Sequence, residues 1–151
     1  MNKPDHAAEA RALLGMPRGS LGSLAEREGK LYPFVSLVLP ALSADGEIIL
    51  LLSDLSDHAK NLQRDPRASL LMDGTLELKE PLTGPRLTLV GEVSVSPDQK
   101  GDRERYLKAH PEAEMYAGFG DFRFYRFRFF EGLFVAGFGR IFRLKPEELK
   151  E

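Results

Sequence analysis

The sequence predicts an α+β fold, mainly β, with about six or seven antiparallel strands in a closed or split barrel and short helices set between them. Three observations carry this. Apolar runs are short and separated by Gly, Pro, Asp and Ser clusters, which suits strands and turns. Arg86 to Ser96 alternates, with Leu87, Leu89, Gly91, Val93 and Val95 on one side and Arg86, Thr88, Val90, Glu92 and Ser94 on the other. Phe122 and Phe124 share one parity while Phe127 and Phe129 share the other. Either both faces of that strand are buried or a bulge near Tyr125-Arg126 resets its register, as a bending barrel strand requires.

The elements follow in order. Residues 5–14 read as a helix, with Asp5 as N-cap and Gly15 just past its end. Gly19 to Ala25 is a short strand of small residues. Tyr32 to Leu42 is a longer one, with Pro33 and Pro40 marking an edge or a bulge. Ser43-Ala-Asp-Gly46 is a turn, and Glu47 to Leu52 returns as the hairpin partner. A helix at about 57–65 is closed by Pro66, and a strand covers 67–73. Gly74 to Gly84 is a loop, and Arg86 to Ser96 is the alternating strand. Pro97-Asp98 opens a charged helix through Ala109, and Pro111 opens another up to Ala117. Phe122 to Phe130 is a strand, Leu133 to Leu144 two shorter pieces broken by Gly137 and Gly139, and Pro146-Glu-Glu-Leu a small helix. The 151 residues fit a single domain, 1–151.

Composition narrows the function. A net charge of −2 and a pI near 6.0 argue against a general nucleic-acid binder, so Arg123, Arg126 and Arg128 among the aromatics are expected to be solvated or to cross a dimer interface. The absence of cysteine removes thiolate catalysis, disulfides, iron–sulfur clusters and cysteine zinc sites. Apolar runs such as Ile48 to Leu52 are far too short to span a bilayer. The N-terminus is not a signal peptide, and a cytoplasmic location is the default expectation.

The segment with chemistry is Ser53 to Met72. An apolar strand runs into the hydroxyl of Ser53, and a polar helix follows. Orphan amides and the helix dipole make such a junction a phosphate cradle. Ser56 is placed to cap the helix, and Ser53, His58 and Lys60, with Asn61 and Arg64 on the same helix, are the candidate donors. A plain capped surface helix, with Arg64 and Arg67 placed for the dipole, accounts for the same residues. His58 sits in the first turn, where the dipole disfavours its charged form and a bound phosphate favours it. His6 and His110 read as surface histidines. The three histidines lack His-x-x-x-His spacing, so no metal site is expected. Gly118-Phe-Gly120 and Gly137-Phe-Gly139 match no nucleotide loop and fit barrel corners.

Several segments taken together resemble the FMN-binding split-barrel superfamily of pyridoxamine 5′-phosphate oxidase-like proteins, and within it the haem-utilisation branch. They are Tyr-Pro-Phe-Val-Ser-Leu-Val-Leu-Pro at 32–40, Leu-Ser-Asp-Leu-Ser-Asp-His-Ala-Lys-Asn-Leu at 52–62, Asp-Pro-Arg-Ala-Ser-Leu-Leu at 65–71, Gly-Pro-Arg-Leu-Thr-Leu at 84–89 and Gly-Leu-Phe-Val-Ala-Gly-Phe-Gly-Arg at 132–140. The resemblance implies a homodimer of six-stranded split barrels with flavin sites at the subunit interface. It implies that the backbone of Val35, Ser36, Leu37 and Val38 lies along the flavin ring. Ser53, His58 and Asn61 then approach the phosphate, Arg86 lies near the ring or ribityl chain, and Arg140 reaches across the interface. The expectation is an FMN-dependent oxidoreductase of unknown substrate, with haem binding or degradation in the same dimer cleft as the first alternative and a non-catalytic flavin-binding dimer as the second. Asp57-His58 stands where the oxidases carry an Arg-Lys pair, and their Arg-x-His substrate motif has no counterpart, so vitamin B6 oxidation is not expected. The haem-degrading members resemble this chain through Gly-Leu-Phe-Val-x-Gly-Phe-Gly but take an iron-ligating histidine from a segment beyond it, whereas here no histidine follows His110.

Overall fold

The computed structural model describes residues 3–150. They form helix α1 (Lys3–Leu13), the hairpin β1 (Gly19–Arg27) and β2 (Lys30–Val38), then β3 (Ala41–Leu42), β4 (Ile48–Ser53), α2 (Asp57–Arg64) and β5 (Arg67–Asp73). After a loop with one 3-10 turn come β6 (Arg86–Val95), α3 (Gln99–Ala109), α4 (Glu114–Ala117), β7 (Phe122–Gly137), β8 (Arg140–Leu144) and α5 (Pro146–Leu149). The eight strands form one antiparallel sheet in the order β2-β1-β5-β6-β7-β4-β3, with β8 also on β7. The expected mainly-β fold with short helices is present, but with eight strands rather than six. Two causes account for the difference. Pro40 interrupts the expected strand 32–42, giving β2 and β3, and Phe138-Gly139 turns the chain back into β8. Asp5, expected as an N-cap, lies inside α1.

The crossover at Leu39-Pro40 shapes the barrel. β2 and β3 sit at opposite ends of the pairing order, yet the three peptide steps from Val38 to Ala41 span at most roughly 11 Å. The sheet therefore has to curl until its two ends face one another, leaving an unpaired seam between β2 and the β3–β4 hairpin. The inward side chains share one core: Leu21 of β1, Ile48, Leu50 and Leu52 of β4, Leu70 and Met72 of β5, Leu87 and Leu89 of β6, and Tyr125, Phe127, Phe129 and Phe134 of β7. A second cluster lies outside the barrel, where α3, α4 and the 3-10 turn Pro111–Ala113 between them bring Tyr106, Ala113 and Ala117 onto Ile49 and Phe124. This is why 48–52 reads as an unbroken apolar run: both faces of β4 are covered.

β7 resolves the phenylalanine parity. Phe124 faces the outer cluster while Tyr125, Phe127 and Phe129 face the barrel, so both faces are buried, and the pairing with β4 runs without a break from Phe122 to Phe127. The bulge lies further along, at Phe130. Val90 pairs with Glu131 and Gly91 with Phe129, and after it the even positions Gly132 and Phe134 point inward. A Cβ on Gly91 would lie 2.1 Å from the carbonyl oxygen of Arg128. The strand has no room for any other residue opposite the bulge.

The strand arginines do not project freely into solvent. Arg126 is 12% exposed and donates to both carboxylate oxygens of Asp102, each at 2.7 Å, and to Glu47 at 2.8 Å. It pins α3 and the turn before β4 to the middle of β7. Arg123 pairs with Asp54 at 2.8 Å, and the exposed Arg128 pairs with Glu47 at 3.0 Å. Asp102 also accepts from the Ser96 hydroxyl at 2.6 Å. Burial pushes its carboxyl pKa up, but the hydrogen bonds from Arg126 and Ser96 outweigh that and hold it below the ordinary value.

Two stability outcomes follow. Gly91→Ala should destabilise the fold by about 1–3 kcal/mol, the scale of overpacking a filled site, read as a lower urea midpoint with an unchanged slope. Asp102→Asn should cost about 1.5–3 kcal/mol at neutral pH, the scale of a hydrogen bond to a charged group, because Arg126 loses its two-point partner and keeps Glu47. A carboxyl with a depressed folded pKa stabilises above its unfolded pKa and loses that contribution as pH falls through the folded value. The gap between wild type and Asp102→Asn should therefore close as pH drops below about 4, in denaturation midpoints measured across pH.

Candidate functional site

The seam of the barrel opens into a cleft of about 430 Å³. Leu37, Val38 and Leu39 form one wall, from the end of β2. Leu50 to Ser53 of β4 form the other, while α2 adds its cap Ser56 and His58. Tyr106, Tyr116 and Phe122 close the far side. The lining is apolar with few polar atoms, the usual make-up of a small-molecule pocket. It exists because Pro40 carries the chain away from β2, so no strand pairs across the seam. The two crossover carbonyls still need donors. Tyr106 donates its hydroxyl to Leu39 at 2.7 Å, and His110 donates Nε2–H to Pro40 at 2.8 Å. Burial raises the pKa of the Tyr106 phenol, so it remains a donor at physiological pH.

At the α2 corner, Ser56 caps the helix as expected: its hydroxyl accepts from Ala59 N–H at 3.3 Å and donates to the Ser53 carbonyl at 2.7 Å. The Ser53 hydroxyl donates to Asp121 at 2.7 Å and accepts from Leu55 N–H. Asp54 takes a 2.7 Å hydrogen bond from Tyr125, whose hydroxyl in turn accepts from Gln63 at 3.1 Å. Asp54, Asp57 and Asp121 thus surround the helix start, and the nearby Arg123 is already paired with Asp54. A phosphate dianion would meet three carboxylates here, and a hydroxyl that already donates elsewhere.

His58 is half-buried and makes no hydrogen bond to any described residue. Burial lowers its pKa, and the neighbouring Asp57 charge only partly opposes this. The imidazole is therefore neutral at physiological pH. That differs from the charged phosphate clamp the cradle calls for.

The other expected site residues divide by place. Leu37 and Val38 line the cleft, Leu37 being 70% exposed and Val38 buried. Val35, also 70% exposed, points from the outer face of β2, and the Ser36 hydroxyl is buried without a hydrogen-bond partner among the described residues. Lys60 is exposed and lies outside the cleft lining. Asn61 is buried and turned toward β1, donating to Ser23 Oγ at 3.1 Å and accepting from Arg64. Arg86 pairs with Val135 and donates to the carbonyls of Leu82 and Gly84 at 3.0 and 3.2 Å, latching the loop before its own strand. Arg140 begins β8, with its guanidinium 3.9 Å from Glu9. Both arginines sit at the opposite end of β7 from Phe122, so a single chain does not bring them to the cleft. Sequence reading missed Leu39, Tyr106, Tyr116 and Phe122. The signals available were Pro40 beside Leu39 and two tyrosines on helices that follow prolines.

A split barrel with a ligand-sized cleft at its seam is the class this geometry defines. The chain belongs to the CREG beta-barrel family, whose model matches residues 2–150. It is 39% identical over 147 residues to the chloroplastic heme oxygenase HOZ of Arabidopsis thaliana, an alignment covering 95% of this chain and 44% of that one. It is 29% identical over 137 residues to heme oxygenase HutZ of Vibrio cholerae, covering 83% of this chain and 74% of the relative. Among solved structures, a heme-binding protein from Mycobacterium smegmatis superposes with a TM-score of 0.86 at 29% identity, over 99% of this chain and 62% of that chain. A Clostridium acetobutylicum protein of the pyridoxinephosphate oxidase family shares the fold alone, with a TM-score of 0.71 at 17% identity over 98% and 99% of the two chains. The expected resemblance to split-barrel and haem-utilisation proteins thus holds. No helix among the described residues is long and apolar enough to cross a membrane.

Asn61 gives a test of what α2 is for. Asn61→Ala should lower stability by about 1–3 kcal/mol, because the buried Ser23 hydroxyl loses its donor. Ligand affinity per folded molecule should stay unchanged, read by thermal melts beside a binding titration.

Proposed function

We propose that this chain binds haem in the seam cleft and acts on it as a haem-utilisation protein, with haem as the substrate rather than a resident cofactor. The carrying observation is the cleft itself: apolar walls from Leu37, Leu39, Leu50 and Leu51, aromatic closure by Tyr116 and Phe122, and in the wall an imidazole with no hydrogen bond to a described residue. The relatives named as heme oxygenases, and the heme-binding structure at 29% identity, support the same choice. Bound haem supplies the iron for dioxygen chemistry. The chain supplies apolar contact for the porphyrin and a wall that keeps water out. FMN, the leading expectation from the sequence, is less well supported. Ser53 is held by Asp121, and Asp54 and Asp57 add negative charge where its phosphate would sit.

The proposal includes a homodimer. Val35 and Leu37 are each 70% exposed on β2, Leu31 and Tyr32 are each 50% exposed, and Phe130 at the bulge is 64% exposed. Four of these five side chains share one strand, β2, and form an apolar row on it. A second copy would cover it and complete the outer wall of the cleft.

Hemin and FMN should be titrated separately into the purified protein. The expected result is a Soret band that grows to saturation with hemin, without quenching of FMN fluorescence in the parallel titration. Saturable flavin binding with no Soret band would replace haem by FMN. With haem bound, an added reductant and dioxygen should bleach the Soret band and release iron, detected with a ferrous chelator.

A further inference from the structure

We propose that His58 is the protein ligand to the haem iron, its imidazole nitrogen donating a lone pair from the first turn of α2 into the seam cleft. The assignment rests on the haem reading above. Among the described residues that line the cleft there is one histidine and no cysteine, so strong neutral ligands are few. His6 is 4% exposed and stacks on Phe142 with ring centroids 3.6 Å apart, on the α1 side of the barrel and outside the cleft lining. His110 is 7% exposed, and its Nε2 is held by the Pro40 carbonyl at 2.8 Å. His58 is the histidine that lines the cleft, and neither of its ring nitrogens bonds to a described residue. Its backbone is well anchored: Ser56 caps α2, Asn61 ties the helix to β1, and the neighbouring Ala59 is fully buried in the core. An imidazole on a rigid turn, left unpaired against an apolar wall, is placed to coordinate a metal carried in by the ligand.

The cleft offers one competing donor. Tyr116 lines it, packs tilted against Phe122 at 5.0 Å between centroids, and has no hydrogen bond from its hydroxyl to a described residue. A phenolate can also hold haem iron. The imidazole needs no deprotonation to do so, whereas the Tyr116 phenol must first lose its proton.

The test is spectroscopic and uses the full chain. Ferric haem is titrated into wild type and into His58→Ala, with and without free imidazole, and the Soret and visible bands are recorded at saturation. The expected result is imidazole-type bands in wild type, altered bands in His58→Ala with affinity lower by at least about tenfold, and return of the wild-type bands when imidazole is added. Wild-type bands in His58→Ala, or altered bands that imidazole leaves unchanged, overturn the assignment while leaving haem binding intact. A phenolate charge-transfer band in wild type overturns it in favour of Tyr116. If wild type shows no Soret band at all, the haem reading fails and this one with it. Should His58→Ala not fold by circular dichroism, His58→Gln serves in its place. Resonance Raman of ferrous wild type grown with 15N-histidine gives a further check: an iron–ligand stretch that does not move with the isotope rejects histidine ligation.

Discussion

The short crossover at Leu39-Pro40 is the constraint on which the molecule turns. Proline lacks the amide hydrogen that would extend β2, so the ladder stops and the chain leaves for the other end of the sheet. Because the link is so short, the sheet must roll, and the inner side chains of β1 and β4 meet in one core although their strands stand four places apart in the pairing order. The same break prevents the barrel from zipping shut. What the fold loses in hydrogen bonds across the seam it holds through Tyr106 of α3 and His110 just past its end, which take the two stranded carbonyls. The helix thus props the seam from outside, and its own hold on the barrel runs through Asp102 and Arg126.

The character of the cleft follows from how polar groups are satisfied around it. Acidic residues gather at the start of α2, but Ser53, Tyr125, Gln63 and Arg123 engage two of them in hydrogen bonds and an ion pair. The corner is rigid as a result, and its fixed charge is unfavourable to another anion. His58 stands at the edge of this corner and faces the apolar side. Desolvation there disfavours its cationic form, which turns a residue expected to grip phosphate into a neutral donor atom.

Much of the fold could be read from local pattern. The hairpin turn before β4, the Ser56 cap, the alternation of β6 and the helix after Pro97 all depend on near neighbours, and they lie where the periodicity put them. The strand count did not follow, because Pro40 can mark an edge within one strand or a jump between two, and only long-range pairing decides. The phenylalanine parity leaves open either two buried faces or a bulge near Tyr125-Arg126, since parity alone does not separate a strand buried on both faces from one that slips register; both faces are buried there, and the bulge lies further on, at Phe130. The site was half legible. Leu37, Val38, Ser53 and His58 meet at one cleft, whereas Asn61 turns inward and Arg86 and Arg140 stay at the far end of β7. Facing direction is a tertiary property, and the spacing of polar residues along α2 does not encode it.

The length of β7 has a kinetic consequence. One of its edges serves β6, and the other is divided between β4 and β8. Ile48 in β4 must therefore wait for Phe127, and at ribosomal speeds of about 5–20 residues per second that is a delay of roughly 4–16 s. Through that interval the nascent chain carries an apolar ribbon, Ile48 to Leu52, with only the two-residue β3 to pair with. Such non-local closure makes for slow folding and a long exposure to aggregation. Emergence of a single strand, β7, is thus the event that commits this polypeptide to its barrel.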